Sequence, residues 1–284
     1  SVQVYDGAEF TPSDIPKRGK TGLVFLSQSG ETKDLRRCLA LGKENNCLLL
    51  GVVNAVDSQI ALGVQGGIYL NAGREVGVAS TKAFSSQVIV LSLMAIWFAQ
   101  QKGLSEYKRK DLIEDLRRLP FAIKQTLQNT ETGCKEIAAY LADKNSCFIL
   151  GKGYCHSISR EAALKIKEIG YIHAEGYSGS ALRHGSYAIL CDTVPVFMAM
   201  PRDEHFALMQ STAEEIRSRN AQVIGISEVE LAEDIFSFTL RIAPNFSFRG
   251  LLCSLPFQLI AYYLALAKGH NPDFPRNLSK CVTV

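Results

Sequence analysis

Short apolar runs alternate with longer stretches of helical periodicity along this chain. Runs of a few aliphatic or β-branched residues, each bounded by polar or turn residues, predict strands at 23–26, 47–53, 67–70, 147–150, 195–200, 222–226 and 238–242. Apolar positions recurring every three or four residues predict helices at 31–45, 81–101, 108–128, 131–143, 159–169, 204–220 and 249–268. Single buried strands separated by helices read as parallel βαβ units, so the expected class is α/β.

A weak internal repeat points to two domains. Val24-Phe25-Leu26, a helix, and then Leu48-Leu49-Leu50-Gly51-Val52-Val53 is echoed by Val196-Phe197-Met198, a helix, and Val223-Ile224-Gly225-Ile226. The copies differ after their first strand. One runs into Ser27-Gln28-Ser29-Gly30-Glu31-Thr32, the other into Ala199-Met200-Pro201-Arg202. The long helical stretch at 108–143 is expected to join the halves, with domains at 1–130 and 131–269 and a tail at 270–284.

Composition narrows the function classes. The chain has 284 residues, 47% hydrophobic and 21% charged, which is ordinary for a globular protein and excludes a disordered one. Its 31 basic and 28 acidic residues leave a formal net charge of +3, too little for a polyelectrolyte binder. No basic recognition helix stands out either, so no nucleic acid is expected. The nearly apolar run at 88–99 falls short of the roughly 20 residues that span a bilayer, and the polar start from Ser1 to Phe10 does not resemble a signal peptide. A cytoplasmic protein without a membrane segment is the expectation. The eight cysteines form no CxxC pair and several sit in strand-like runs, which fits buried thiols rather than a disulfide framework or zinc site. The five histidines lack HxH or HxxxH spacing, so no metal is expected. Trp97 and its apolar neighbours, like Cys155 and Cys191, read as core.

Five segments carry candidate chemistry. In Leu26-Ser27-Gln28-Ser29-Gly30-Glu31-Thr32, three hydroxyls, an amide and a glycine meet at a helix N-terminus, where the macrodipole favours an anion. An ordinary Ser-rich cap reads the same way. A second polar loop from Asn71 to Lys82 supplies Ser80 and Thr81 with glycines beside them. In Glu161-Ala-Ala-Leu-Lys165-Ile-Lys167-Glu168, residues 161, 165 and 168 share one helix face. That face is either an acid–base pair or a solvated ladder of ion pairs. His184, between Arg183 and Gly185, suits a proton shuttle. The tail lysine Lys280 lies among apolar neighbours and could form a Schiff base.

Taken together, LSQSGET (26–32), NAGREVGVASTKAF (71–84), EAALKIKEIGYIHAEG (161–176), LRHG (182–185) and DFPRNLSKCVTV (273–284) resemble the sugar isomerase (SIS) half of the glucosamine-6-phosphate synthases, the glutamine:fructose-6-phosphate amidotransferases. The resemblance spans nearly the whole chain. It implies two SIS domains, each a parallel sheet flanked by helices in a flavodoxin-like three-layer sandwich, with 270–284 as an active-site tail.

By that resemblance Ser27, Gln28, Ser29 and Thr32 bind the sugar phosphate, and Val78 and Ser80 contact the sugar. Glu168 moves the proton between C1 and C2, Lys165 assists, and Glu161 tunes Lys165. His184 opens the ring from a neighbouring subunit, which requires at least a homodimer. Lys280 forms the imine with fructose 6-phosphate, beside Ser279, and glucosamine 6-phosphate is the product. No cofactor is implied, and ammonia is expected from a glutaminase domain.

The chain departs from the pattern in several places. The glutaminase half and the opening strand and helix of the first SIS domain are missing. The family's Glu-Leu-Lys-His-Gly-Pro reads Ala181-Leu182-Arg183-His184-Gly185-Ser186, and Ser279 replaces the usual Ala. Two rival readings stay open: an ammonia-independent phosphosugar isomerase, and a non-catalytic sugar-phosphate sensor.

Overall fold

The computed structural model describes residues 1–280; Cys281 to Val284, the end of the tail motif, lie outside the described residues. Two compact units form. Gly103–Arg276 is the second, and Ser1–Lys102 with the tail from Asn277 is the first.

The first unit has a parallel sheet in the order β1-β2-β3, with β1 at Gly22–Ser27, β2 at Leu48–Val53 and β3 at Gly66–Tyr69. The crossover helix α1, Lys33–Glu44, packs Cys38 and Leu39 onto Phe25, Leu49 and Val53, and the short α2, Gln59–Gly63, adds Ile60. On the other face Val52 and Leu70 meet Val90 of α3, Lys82–Gln101. Val24, Leu26 and Ile68 are left 40–43% exposed.

The second unit opens with the 36-residue helix α4, Glu106–Leu141. Its sheet is parallel throughout, in the order β5-β4-β6-β7-β8. The strands are β4 Ser146–Gly151, β5 His173–Ser178, β6 Val196–Ala199, β7 Val223–Ser227 and β8 Phe238–Arg241. Alternation of side chains along each strand builds two core layers. Phe148, Leu150, Val196, Met198 and Val223 face Met209, Ala213 and Ile216 of α6, Phe206–Arg217. On the opposite face Phe197 meets Phe257 of α7, Arg249–Ala267, with ring centroids 5.6 Å apart. Helix α4 lies against α7, where the Cys134 thiol reaches the Pro256 carbonyl, and its Thr126 hydroxyl accepts the Ala243 N–H at 2.9 Å.

Four expectations change. The break placed between 130 and 131 falls inside α4, because the two helices expected at 108–128 and 131–143 are one. Pro120 sits within it without ending it. Strand β5 was not expected, since His173-Ala-Glu175-Gly176-Tyr177-Ser178 lacks an apolar run; an edge strand needs none. Trp97 is 55% exposed rather than core, because α3 is apolar around its circumference and the sheet covers only one stripe of it.

The membrane expectation also changes in its premise. Two helices, Lys82–Gln101 and Arg249–Ala267, are long and apolar enough by length and composition to cross a bilayer. The window in α7 is 61% buried within its own unit, as a core helix is, whereas the window in α3 is only 6% buried.

Candidate functional site

The turn after β1 is built by backbone constraint. Gly30 adopts φ +67°, and a Cβ there would lie 2.0 Å from the Ser58 hydroxyl oxygen. The Gly30 N–H donates to the Ser27 hydroxyl at 2.9 Å, and the Gly30 carbonyl accepts the Ile60 N–H at 3.0 Å. Glu31 reaches over to accept the Gln59 N–H at 2.9 Å. The loop before α2 thereby holds the turn open, while the Thr32 side chain does not cap α1. The helix N-terminus and its positive dipole end thus accompany the hydroxyls of Ser27, Ser29 and Thr32.

These residues line a cleft of about 380 Å³ within the first unit, together with Gln28, Ser80, Gln87 and Lys280. Asp6 and Asp34 line it too, so an anion would be held by neutral donors and one cation rather than by a basic patch. The Lys280 ammonium meets the Gly77 carbonyl at 2.7 Å, the Val78 carbonyl at 3.3 Å, the Ser80 hydroxyl at 3.1 Å and Glu75 Oε2 at 3.1 Å. Ser279 beside it is exposed.

Glu75 was not singled out from the sequence. It is buried, with its other oxygen accepting the Thr81 N–H at 2.7 Å and the Ala83 N–H at 3.3 Å at the start of α3. Burial pushes its carboxyl up, but the bonds from Thr81, Lys280, Ser80 and Ala83 outweigh that and hold it below the ordinary carboxylate range. The available signal was a lone acid inside a glycine-rich polar loop, which an exposed loop residue gives equally well.

The remaining candidates lie in the second unit. Helix α5, Tyr154–Lys165, runs straight into a π-helical turn at Ile166–Gly170, which Tyr171 ends in the left-handed conformation. Such single π-turns recur where a functional side chain must be re-aimed. Lys165 is buried, and its ammonium bonds Glu168 Oε2 at 2.6 Å and lies 3.6 Å from Glu161 Oε1. Burial pushes the Glu161 carboxyl up; Lys165 opposes this and Glu168 reinforces it. The face expected from the spacing of 161, 165 and 168 is therefore real, but the 165–168 contact crosses from α-helix to π-turn.

His184 is exposed, at the end of a 3-10 turn at Ala181–His184 followed by Gly185 at φ 140°. Arg183 grips Glu215 of α6 through both Nε, at 2.9 Å, and a terminal nitrogen, at 2.6 Å, and Tyr187 donates to the same carboxylate at 3.0 Å. His173 is exposed on β5 and pairs with Glu175.

Among the described residues no group of three His, Cys, Asp or Glu side chains is placed to hold a metal. The seven described cysteines are free. Six are buried, with burial pushing Cys134 and Cys147 up to about 12; Cys191, expected in the core, is only half-buried and bonds the Thr193 hydroxyl at 3.1 Å.

A parallel-sheet unit with a hydroxyl-lined turn after its strand, repeated as a second parallel-sheet unit, defines the class, and the chain belongs to the SIS domain family, whose model matches residues 1–97 and 140–268. Among curated proteins it is similar to the probable glutamine–fructose-6-phosphate aminotransferase [isomerizing] of Acanthamoeba polyphaga mimivirus, at 41% identity over 100% of this chain and 46% of that protein. It is also similar to the enzyme of that name from Chlorobaculum tepidum, at 40% identity over 92% of this chain and 43% of that protein. The chain thus spans about half the length of the curated relatives it matches. Among solved structures, the C-terminal domain of glucosamine-fructose-6-phosphate aminotransferase from Francisella tularensis superposes with a TM-score of 0.83 at 29% identity, covering 93% of this chain and 76% of that one.

Proposed function

We propose that this chain is the isomerase half of a glutamine–fructose-6-phosphate aminotransferase, acting on fructose 6-phosphate to give glucosamine 6-phosphate. The observation that carries the reading is the cleft in which the Ser27–Thr32 turn and the Lys280 ammonium meet, since a ketose phosphate needs both an anion cradle and an amine.

In this reading the phosphate sits against the hydroxyls of Ser27, Ser29 and Thr32 and the amide of Gln28. His184, from a second copy of the chain in a homodimer, opens the furanose ring. Lys280 condenses with the C2 carbonyl and releases water, and ammonia replaces the lysine nitrogen at C2. Glu168 takes the proton from C1 and returns one to C2, completing the ketose-to-aldose change. Lys165, paired to Glu168, holds that carboxylate in place, with Glu161 as its second anionic neighbour. Val78 and Ser80 line the sugar side and Ser279 flanks the lysine. A glutaminase domain supplies the ammonia, and the reaction belongs in the cytoplasm.

Incubating the purified chain with fructose 6-phosphate, with and without ammonium, and resolving glucose 6-phosphate from glucosamine 6-phosphate tests this. Glucosamine 6-phosphate that requires ammonium supports the reading. Its absence while glucose 6-phosphate still forms would instead indicate an ammonia-independent isomerase. Lys280→Ala is expected to abolish amination while leaving sugar-phosphate binding, and full activity in that variant would remove the imine.

A further inference from the structure

We propose that Glu75 is a positioning residue for the chemistry of Lys280, a fixed counter-ion that accompanies the positive charge on Nζ from ammonium to iminium. The inference rests on the imine role just given to Lys280 and adds a residue that the motifs did not mark.

Condensation conserves charge. The ammonium and the C2 carbonyl become a protonated imine and one water, the carbonyl oxygen leaving with two of the three Nζ hydrogens, so one positive charge stands on nitrogen before and after. What changes is the number of donors. The ammonium has three N–H groups, shared among the Gly77 and Val78 carbonyls, the Ser80 hydroxyl and Glu75. The iminium has one. Neutral acceptors lose most of their hold on the nitrogen when the donors go, whereas a carboxylate keeps its Coulomb attraction. Of the four partners, Glu75 alone carries a charge.

Its geometry suits that task. The two carboxylate oxygens are divided, one on the backbone N–H groups of Thr81 and Ala83 and the other on Nζ. The first oxygen ties Glu75 to the start of α3, where the helix dipole favours a negative charge, so the second stays in place when the lysine hydrogens leave. The side chain is only 5% exposed, which limits screening by water and salt. The same N–H bonds hold the carboxyl below its usual range, so it stays ionised while the imine forms and breaks.

The test is reductive trapping with borohydride in the presence of fructose 6-phosphate, followed by mass analysis of the peptide bearing Lys280. Glu75→Gln keeps the size and an acceptor oxygen but removes the charge, and is expected to lower the trapped fraction between about 10- and 100-fold, the range for losing a hydrogen bond to a charged group. Binding of sorbitol 6-phosphate, which has no carbonyl, should not weaken, since the variant removes a negative charge from beside the cleft. Glu75→Ala supplies the second measurement: formate added to that variant should restore trapping by filling the vacated space with a carboxylate, which a purely structural residue would not allow. Glu75→Asp should retain more trapping than Glu75→Gln. Equal trapping in Glu75→Gln and the parent chain, or no rescue by formate, overturns the counter-ion role while leaving the Lys280 imine standing. No adduct in the parent chain overturns both.

Discussion

The Lys165 ammonium lies 2.6 Å from Oε2 of Glu168, across the junction between α5 and the π-turn that follows it. In a regular helix residues three apart share a face, and the wider π-turn shifts the carboxylate while the lysine stays buried. The pair is therefore an orienting contact as well as an ionic one. Glu168→Gln keeps an acceptor for Lys165 and removes the carboxylate proposed as the base. Exchange of the C1 hydrogen of fructose 6-phosphate with deuterium oxide is expected to fall by about 10²- to 10⁴-fold, the usual worth of a positioned base, with thermal stability near that of the parent. Exchange at the parental rate would take Glu168 out of proton transfer.

The Ser29 hydroxyl accepts the Glu31 N–H at 3.2 Å, which leaves its own hydrogen to donate into the cleft. Ser29→Ala should weaken sorbitol 6-phosphate binding by roughly 10-fold or more, as expected for one hydrogen bond to a charged group. Turnover at saturating substrate should change much less, because the phosphate is remote from the reacting carbons. Calorimetric titration reads the first quantity and steady-state kinetics the second. An unchanged dissociation constant would remove the Ser27–Thr32 turn from the site.

Arg183 replaces the lysine expected from the resemblance, and the structure uses what is particular to arginine: a planar fork that takes both oxygens of Glu215. Arg219, just beyond α6, stacks over the Tyr187 ring at 4.4 Å, and Tyr187 shares the same carboxylate, so the segment bearing His184 is anchored to Glu215 of α6 and to the turn that follows it. Lysine cannot reproduce a two-point contact. Amide hydrogen exchange over residues 182–189 is expected to quicken in Arg183→Lys while that of β4, β6 and β7 stays as it was. Exchange that does not change would mean the turn is held without the fork.

Most of the fold was legible because burial writes itself into sequence. Strands β2, β4, β6 and β7 were each located to within a residue or two, since a strand covered on both faces must be apolar along its length; β1 was located as closely because it is equally apolar, although Val24 and Leu26 stay partly exposed. The same rule explains the miss at β5, an edge strand with only Ala174 buried. It also explains Trp97, where apolar composition said core but too little sheet was available to cover α3. At the sites, spacing on one helix linked Glu161, Lys165 and Glu168, but no spacing rule joins Glu75 to Lys280, which lie 205 residues apart and meet only through the fold. Nor does any simple pattern distinguish the π-turn from the last turn of an α-helix.

Gly30 couples the fold of the first unit to its cleft. Its φ of +67° is a conformation that costs an L-residue roughly 1–2 kcal/mol. Space is a second constraint, since an added Cβ would meet the Ser58 Oγ at 2.0 Å, the Ser58 Cβ at 2.5 Å and the Val53 Cγ1 at 2.9 Å. Ser58 cannot simply step aside, because its hydroxyl donates to the Ala55 carbonyl at 2.9 Å and its backbone leads directly into α2. Gly30→Ala is therefore expected to push the Ser27–Thr32 turn away from the 54–60 loop, lowering the melting temperature and weakening sorbitol 6-phosphate binding more than Ser29→Ala does, because every donor in the turn moves. Adding Ser58→Gly to Gly30→Ala should relieve the two contacts with Ser58 and leave the Val53 contact and the conformational part, so stability and binding should both recover in part. Binding as tight in Gly30→Ala as in the parent chain would show that the turn's shape is not what holds the phosphate.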